Sequence, residues 1–273
     1  MRFFKVLFDF YLDASIHVAF AVLSLIWISC RSLDIPVDLN LLIFVFSGSI
    51  AVYNFIKYGV EANKYFLVTN TYHKRIQFIS ILFLGIATYH TFFLNFEVIM
   101  ALGVIAILVG LYALPLLPKA SKLRNWGISK VIIIGVVWSI ATVLLPVLEA
   151  DQIITWDVWI VFLQRVFFVL AWIIPFEIRD LKYDSPELHT LPQSIGQKKT
   201  KILGSLFLVI MCMLTFFKDY IAPIEFLVTF LVTAVLLLFI WASKRDQQSY
   251  YASFFVEGIP ILWMAIWWVL QAN

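Results

Sequence analysis

Long apolar runs and short polar breaks alternate along this chain. Nine runs reach membrane length: 14–30, 40–58, 76–94, 97–117, 128–148, 157–178, 201–217, 222–242 and 250–271. About 20 apolar residues, rising 1.5 Å each in a helix, cross the ~30 Å hydrocarbon layer. No water is available there, so the backbone must bond to itself, and the runs are predicted as helices. The pattern predicts an all-α integral membrane protein, a bundle of nine transmembrane helices. Ahead of them, residues 1–13 (MRFFKVLFDFYLD) mix charges among apolar positions. That mixture predicts an interfacial amphipathic helix rather than a cleaved signal. Residues 14–273 then form one multi-pass domain.

Charge gives the direction. With the N-terminus in the cytoplasm, only Arg31 and Lys218 of the 20 Lys and Arg fall outside, and Arg165 lies within a span. An asymmetry of this kind is the positive-inside signature, and it predicts a cytoplasmic N-terminus. Composition agrees: 63% of residues are hydrophobic and 14% charged, where a soluble domain has roughly 45–50% and 25%. The net charge of +3 gives no ground for a nucleic-acid partner. Cys30 and Cys212 build no disulfide framework, and the four His show no ligand spacing. Phosphate loops, dinucleotide fingerprints and nucleophile elbows are missing from the sequence.

Three polar stretches meet at the predicted cytoplasmic ends. Glu177, Asp180 and Asp184 close the sixth run at i, i+3 and i+7, one helical stripe. Such carboxylates repel each other unless a cation joins them. Hard oxygen ligands suit Mg²⁺ shared with substrate phosphates; the plain alternative is a solvated helix end. Asn54, Lys57 and Glu61 repeat the same spacing after the second run, and Tyr112, Lys119, Lys122 and Arg124 follow the fourth. Together with Arg179, these residues suit a diphosphate carrying an apolar tail. Carboxylates would hold a metal, Lys and Arg the phosphate oxygens, and the Phe- and Trp-rich interior the tail. The predicted site is therefore polar and sits at the cytoplasmic mouth. Arg165 needs a buried partner in mid-span; Glu257 is the expected one and Glu225 the second choice. With so few other charges deep in the spans, no relay crosses the bilayer as a transporter would need.

The segment RDLKYD…TLPQSIG resembles the second aspartate motif of the UbiA family of intramembrane prenyltransferases, through Asp180, Asp184, Thr190, Leu191, Pro192 and Gly196. The stretch with Tyr112, Pro115, Lys119, Leu123, Arg124 and Gly127 is similar to that family's loop after span four. The nine-span layout with the N-terminus inside is also the family's. The first motif departs: Asn54 fits, but Tyr58 and Ala62 stand where the family has aspartates. The resemblance implies an isoprenyl diphosphate bound through Mg²⁺ on Asp180 and Asp184, in a bacterial inner membrane. It implies transfer of the prenyl group to an aromatic or lipophilic acceptor among the membrane lipids. Asn54, Glu61, Tyr112, Lys119, Lys122, Arg124 and Arg179 are the candidate substrate-binding residues. Glu177 or Glu61 would take the released proton. Two readings of the altered first motif stay open. Either Lys57 supplies a fixed positive charge beside the diphosphate, or catalysis is lost and a UbiA-fold protein binds an isoprenoid or partners a quinone or carotenoid pathway protein. A snorkelling interfacial Lys57 is the structural alternative.

Overall fold

A computed structural model describes residues 2–60, 70–113, 127–185 and 188–271. Among them there is no strand. Helices α1 (Arg2–Asp13) and α2 (Ile16–Ser32) meet at a 59° bend. Ser15 turns that corner in the left-handed region, at φ 58°. Helix α3 (Leu39–Asn54) opens on Asp38, whose side chain accepts from the Leu41 N–H at 2.7 Å. It runs on as a π-helical turn, Phe55–Val60. Helix α4 (Thr71–Thr91) is capped the same way by Asn70, and α5 spans Phe96–Ala113. Helix α6 (Gly127–Ser139) continues through a π-helical turn to Glu149. Helix α7 (Trp156–Trp172) leads into α8 (Ile174–Asp180), then α9 (Leu191–Ile195), α10 (Gln197–Leu214) and α11 (Pro223–Ala242). A π-helical lead-in, Tyr251–Val256, precedes α12 (Ile259–Gln271).

Over its described residues, each predicted apolar run falls mainly on helix. Among the described residues, six stretches are long and apolar enough to cross a membrane: Leu39–Tyr58, Lys130–Glu149, Trp156–Asp180, Gln197–Phe217, Pro223–Ala242 and Tyr251–Gln271. The bent α1–α2 pair makes a seventh. Among the described residues, α4 and α5 are not counted with these: polar side chains, His73, Lys74 and Arg75 among them, start α4, and α5 contributes the apolar stretch Phe96–Gly110.

The outer surface is a coat of large apolar side chains. Phe78, Ile81, Phe92, Leu238 and Trp268 each stand more than half exposed. So extensive a coat marks a surface that meets lipid. Helix α7 is the axis of the bundle. It packs on α6 and α10, and the Trp156–Asp180 span that it opens is the most buried of those long enough to cross a membrane among the described residues. Phe168, Trp172, Leu25 and Trp263 meet in the core around it. In lipid, close packing and interhelical hydrogen bonds hold such helices, and small residues let the backbones approach. Gly204 does this for α10: a Cβ there would run into Ile174 Cδ1 of α8.

Pro175 positions the site. It lies in the first turn of α8, where a missing N–H costs nothing. The helix axis restarts there, and the Phe176 and Glu177 N–H groups both reach the Ile173 carbonyl, at 2.9 and 3.1 Å. Helix α8 thereby ends on Glu177, Arg179 and Asp180 at one end of the bundle. The α1–α2 corner, the π-helical end of α3 and the Tyr251–Val256 turn share this polar end.

Candidate functional site

Past Asp180 the chain keeps one more helical turn, with the Asp184 N–H donating to the Asp180 carbonyl at 2.9 Å. That turn keeps Glu177, Asp180 and Asp184 together, within electrostatic reach of one another. Glu177 lies deepest. It is buried, the Leu191 backbone N–H faces its carboxylate, and its Oε2 has no hydrogen-bond partner among the described residues. Burial, and after it the charge of Asp180, push the Asp184 carboxyl above the ordinary aspartate range; Lys130 and Arg179 pull it back. Lys130, in the first turn of α6, is a charged neighbour of both Glu177 and Asp184. In the sequence it is one more cytoplasmic charge. Its signal was its place at the start of a span on the same side as the stripe.

The Thr190-Leu191-Pro192 turn closes over this stripe. Gln193 Oε1 accepts from the Thr190 N–H at 3.1 Å, and Pro192 fits the first turn of α9. Leu191 is buried against Val131 of α6 and Leu170 of α7. Packing of that one side chain carries the Leu191 N–H to Glu177. Gly196 then joins α9 to α10 at φ 81°, a backbone that a Cβ disfavours.

Arg179 turns to its neighbour rather than outward. Its Nε and one terminal nitrogen donate to Asp180 at 2.7 and 3.0 Å, and its guanidinium lies 5.3 Å from the Phe176 ring. Both partners are about one-third exposed, so the pair is worth about 0–1 kcal/mol. A divalent cation carrying phosphate would displace it readily. Among the described residues no three His, Cys, Asp or Glu side chains are set to hold a metal ion. Mg²⁺ does not need three: it is commonly held by one or two carboxylates, with waters and substrate phosphates completing its shell. Asp180 and Asp184 fit that mode, with Glu177 beside them.

The end of α3 is built differently. Asn54, expected to bind substrate, is buried and its amide goes to the α1–α2 corner. Its Oδ1 accepts from Ser15 Oγ at 2.8 Å and its Nδ2 donates to the Ala14 carbonyl at 3.1 Å. The left-handed turn at Ser15 leaves backbone groups that need such partners. Lys57 Nζ lies 3.5 Å from Asp13 Oδ1 and 5.2 Å from the Tyr58 ring. Tyr58, at a position where the family pattern has aspartate, donates to the Asp13 carbonyl at 3.0 Å. Tyr72 donates to Asp13 Oδ2 at 2.7 Å, and Tyr250 to Asp9 Oδ1 at 2.5 Å. Helix α1 thus brings its own pair of carboxylates, four residues apart, beside Lys57. Charge on an amphipathic helix is expected to be solvated, so no sequence signal marks Asp9 and Asp13 as partners of Lys57.

A cavity of about 500 Å³ opens between these parts, lined by Asp9, Asp13, Lys57, Tyr72, Tyr250 and Ser253 among others. Asp180 and Asp184 are not in its wall. Glu257 links the two regions, since its charged neighbours are Lys57 and Arg179. This corrects the expected pairing of Glu257 with Arg165. Glu257 sits near the polar end of its span, whereas Arg165 lies in mid-α7. Arg165 instead donates to the Leu25 carbonyl at 3.2 Å and to Ser29 Oγ at 2.9 Å. Glu225, the second choice, is held by Lys218, with both oxygens 2.8 Å from Nζ. Glu61, Lys119, Lys122, Arg124 and the side chain of Tyr112 lie outside the described residues.

Comparison of the sequence with family models and with curated proteins gives no match. Solved structures do match. A UbiA homolog from Archaeoglobus fulgidus bound to GPP and Mg²⁺ superposes with a TM-score of 0.64 at 13% identity, over 97% of this chain and 100% of that one. This chain has the UbiA fold. An apo UbiA homolog from Aeropyrum pernix K1 gives 0.63 at 13% identity, over 94% and 98% of the two chains. A structure of digeranylgeranylglyceryl phosphate synthase gives 0.57 at 16%, over 96% and 97%. The UbiA fold thus runs through nearly the whole chain with no large insertion on either side. At such identities the fold is what is shared, and chemistry has to be argued from the residues.

Proposed function

We propose that this chain is a UbiA-type prenyltransferase, moving a prenyl group from an isoprenyl diphosphate to an aromatic or lipophilic acceptor in the membrane. The observation that carries the proposal is the α8 stripe in a UbiA fold. Its three carboxylates stand together, one carboxylate oxygen is buried without a partner among the described residues, and Lys130 and the Leu191 N–H face them. In this reading the chain crosses the membrane nine times with its N-terminus in the cytoplasm, and α1 lies in the interface. Mg²⁺ on Asp180 and Asp184 would neutralise diphosphate charge. Lys130, Lys119, Lys122 and Arg124 would hold phosphate oxygens. The bond between the prenyl carbon and oxygen breaks with its electron pair leaving on the diphosphate. The acceptor attacks the carbon, and its proton passes to Glu177.

A second reading has its own observation behind it. Asn54, Lys57 and Tyr58 all bond to the α1–α2 corner, which favours a non-catalytic UbiA-fold protein that binds an isoprenoid lipid. One experiment separates the two. Membranes containing the chain are given labelled dimethylallyl, geranyl and farnesyl diphosphates with a lipid extract, with and without Mg²⁺. A labelled lipid that forms only with Mg²⁺ and with intact Asp180 and Asp184 supports transfer. Diphosphate that is neither bound nor consumed would leave the lipid-binding reading.

A further inference from the structure

A second polar centre lies far from the stripe and takes no part in the proposed transfer. Arg165 is 15 residues before Asp180, about 22 Å along a helix. It is buried at 3% exposure. Its charge has no counterpart: among the described residues no carboxylate lies within 4.0 Å of it. One terminal nitrogen is used by Leu25 and Ser29, and the guanidinium lies 5.5 Å from the Trp263 ring. The other, Nη1, has no acceptor among the described residues, and neither has the buried indole N–H of Trp263. Arg165 and Trp263 line the same small cavity, together with Gln164, Thr229 and Glu225. Its volume is about 20 Å³, against the roughly 10–15 Å³ that one water-sized particle needs. Glu225 brings no unbalanced charge to it, since Lys218 and the Ser32 hydroxyl hold its oxygens.

We propose that this cavity is a binding site for a single small monovalent anion of the halide class, held between Arg165 Nη1 and the Trp263 indole N–H. Two buried donors without acceptors call for an acceptor, and a buried guanidinium without a carboxylate calls for negative charge. The room available takes one atom-sized ion and excludes carboxylates and phosphates. Such an ion would tie α2, α7 and α12 together through Ser29, Arg165 and Trp263. The site is independent of prenyl transfer, and it stands whichever reading of the polar end is right.

The test uses the full chain purified in detergent, with chloride replaced by gluconate at constant ionic strength. Chloride and bromide are titrated back while the unfolding temperature is followed. A saturable rise with both halides is expected in the native chain and none in Arg165→Gln. Trp263→Phe keeps the ring but loses the donor, and its half-saturating concentration should rise roughly tenfold or more. Crystals grown in bromide should show an anomalous peak between Arg165 and Trp263. A halide-independent unfolding temperature in the native chain would overturn the proposal, as would an equal rise in Arg165→Gln or a bromide-grown crystal with no peak there. The last result would mean that water satisfies the two donors.

Discussion

The ends of α3 and α8 lie at the same end of the bundle, and both carry polar residues at helical spacing. At α8 the stripe is left under-bonded. Glu177 keeps a free oxygen and Asp184 has no hydrogen-bonded side-chain partner among the described residues. The pair between Arg179 and Asp180 is a weak, partly exposed one. At α3 the polar groups are bonded inward: Asn54 to Ala14 and Ser15, Tyr58 and Lys57 to Asp13. Groups whose hydrogen bonds are already made have little left for a ligand, whereas a cluster of like charges has every reason to take one. Identical spacing on paper therefore says little until the partners are counted. The α8 end is left open to a ligand, and the α3 end serves as a clasp for α1.

The comparison breaks most sharply at Asp180. Asp180→Asn and Asp184→Asn are each expected to lower prenyl transfer by about 10²–10³-fold, the usual loss when one preorganised electrostatic group is removed. Unfolding temperature should stay within a degree or two, because neither carboxylate holds the bundle together. Retained activity in both would move the site elsewhere. Lys130→Met tests the residue that only the fold brought in. A loss of about tenfold to a hundredfold is expected, mostly as a raised KM for the diphosphate, from one lost charge-assisted bond. A fall in kcat alone would instead point to a role in proton transfer.

The α3 end should respond in stability rather than rate. Asn54→Ala leaves the Ser15 hydroxyl and the Ala14 carbonyl without their partners. It should cost about 1–3 kcal/mol, measured as a lowered unfolding temperature, with transfer per folded molecule nearly unchanged. Lys57 is the sharper probe. If its charge serves only the partly exposed pair with Asp13, Lys57→Gln costs under about 1 kcal/mol and changes transfer by less than about threefold. A tenfold rise in KM with the fold intact would show that the clasp and the site share this lysine. Gly196→Ala should show the smallest selective effect. The strained backbone at φ 81° would cost about 1–3 kcal/mol, and transfer would fall only through displacement of α9.

Much of this molecule was legible in its residues. Apolar runs of membrane length located the helices, because the bilayer forces backbone groups to pair within each run. The spacing of Glu177, Asp180 and Asp184, followed by Thr-Leu-Pro, was enough to single out the α8 end and to suggest the UbiA resemblance that the fold bears out. The tertiary structure alone decided which polar groups answer each other. Lys130 reaches the stripe because Leu191 packs on Val131. Asp9 and Asp13 reach Lys57 because α1 folds back at a 59° bend. Arg165 faces Ser29 and Trp263, not Glu257, because the two charges lie at different depths along their helices. Local sequence sets where a helix runs, since hydrophobicity and spacing act within one segment. The partner of a charge depends on how separate segments cross, and those crossings are fixed by packing among residues far apart in the chain.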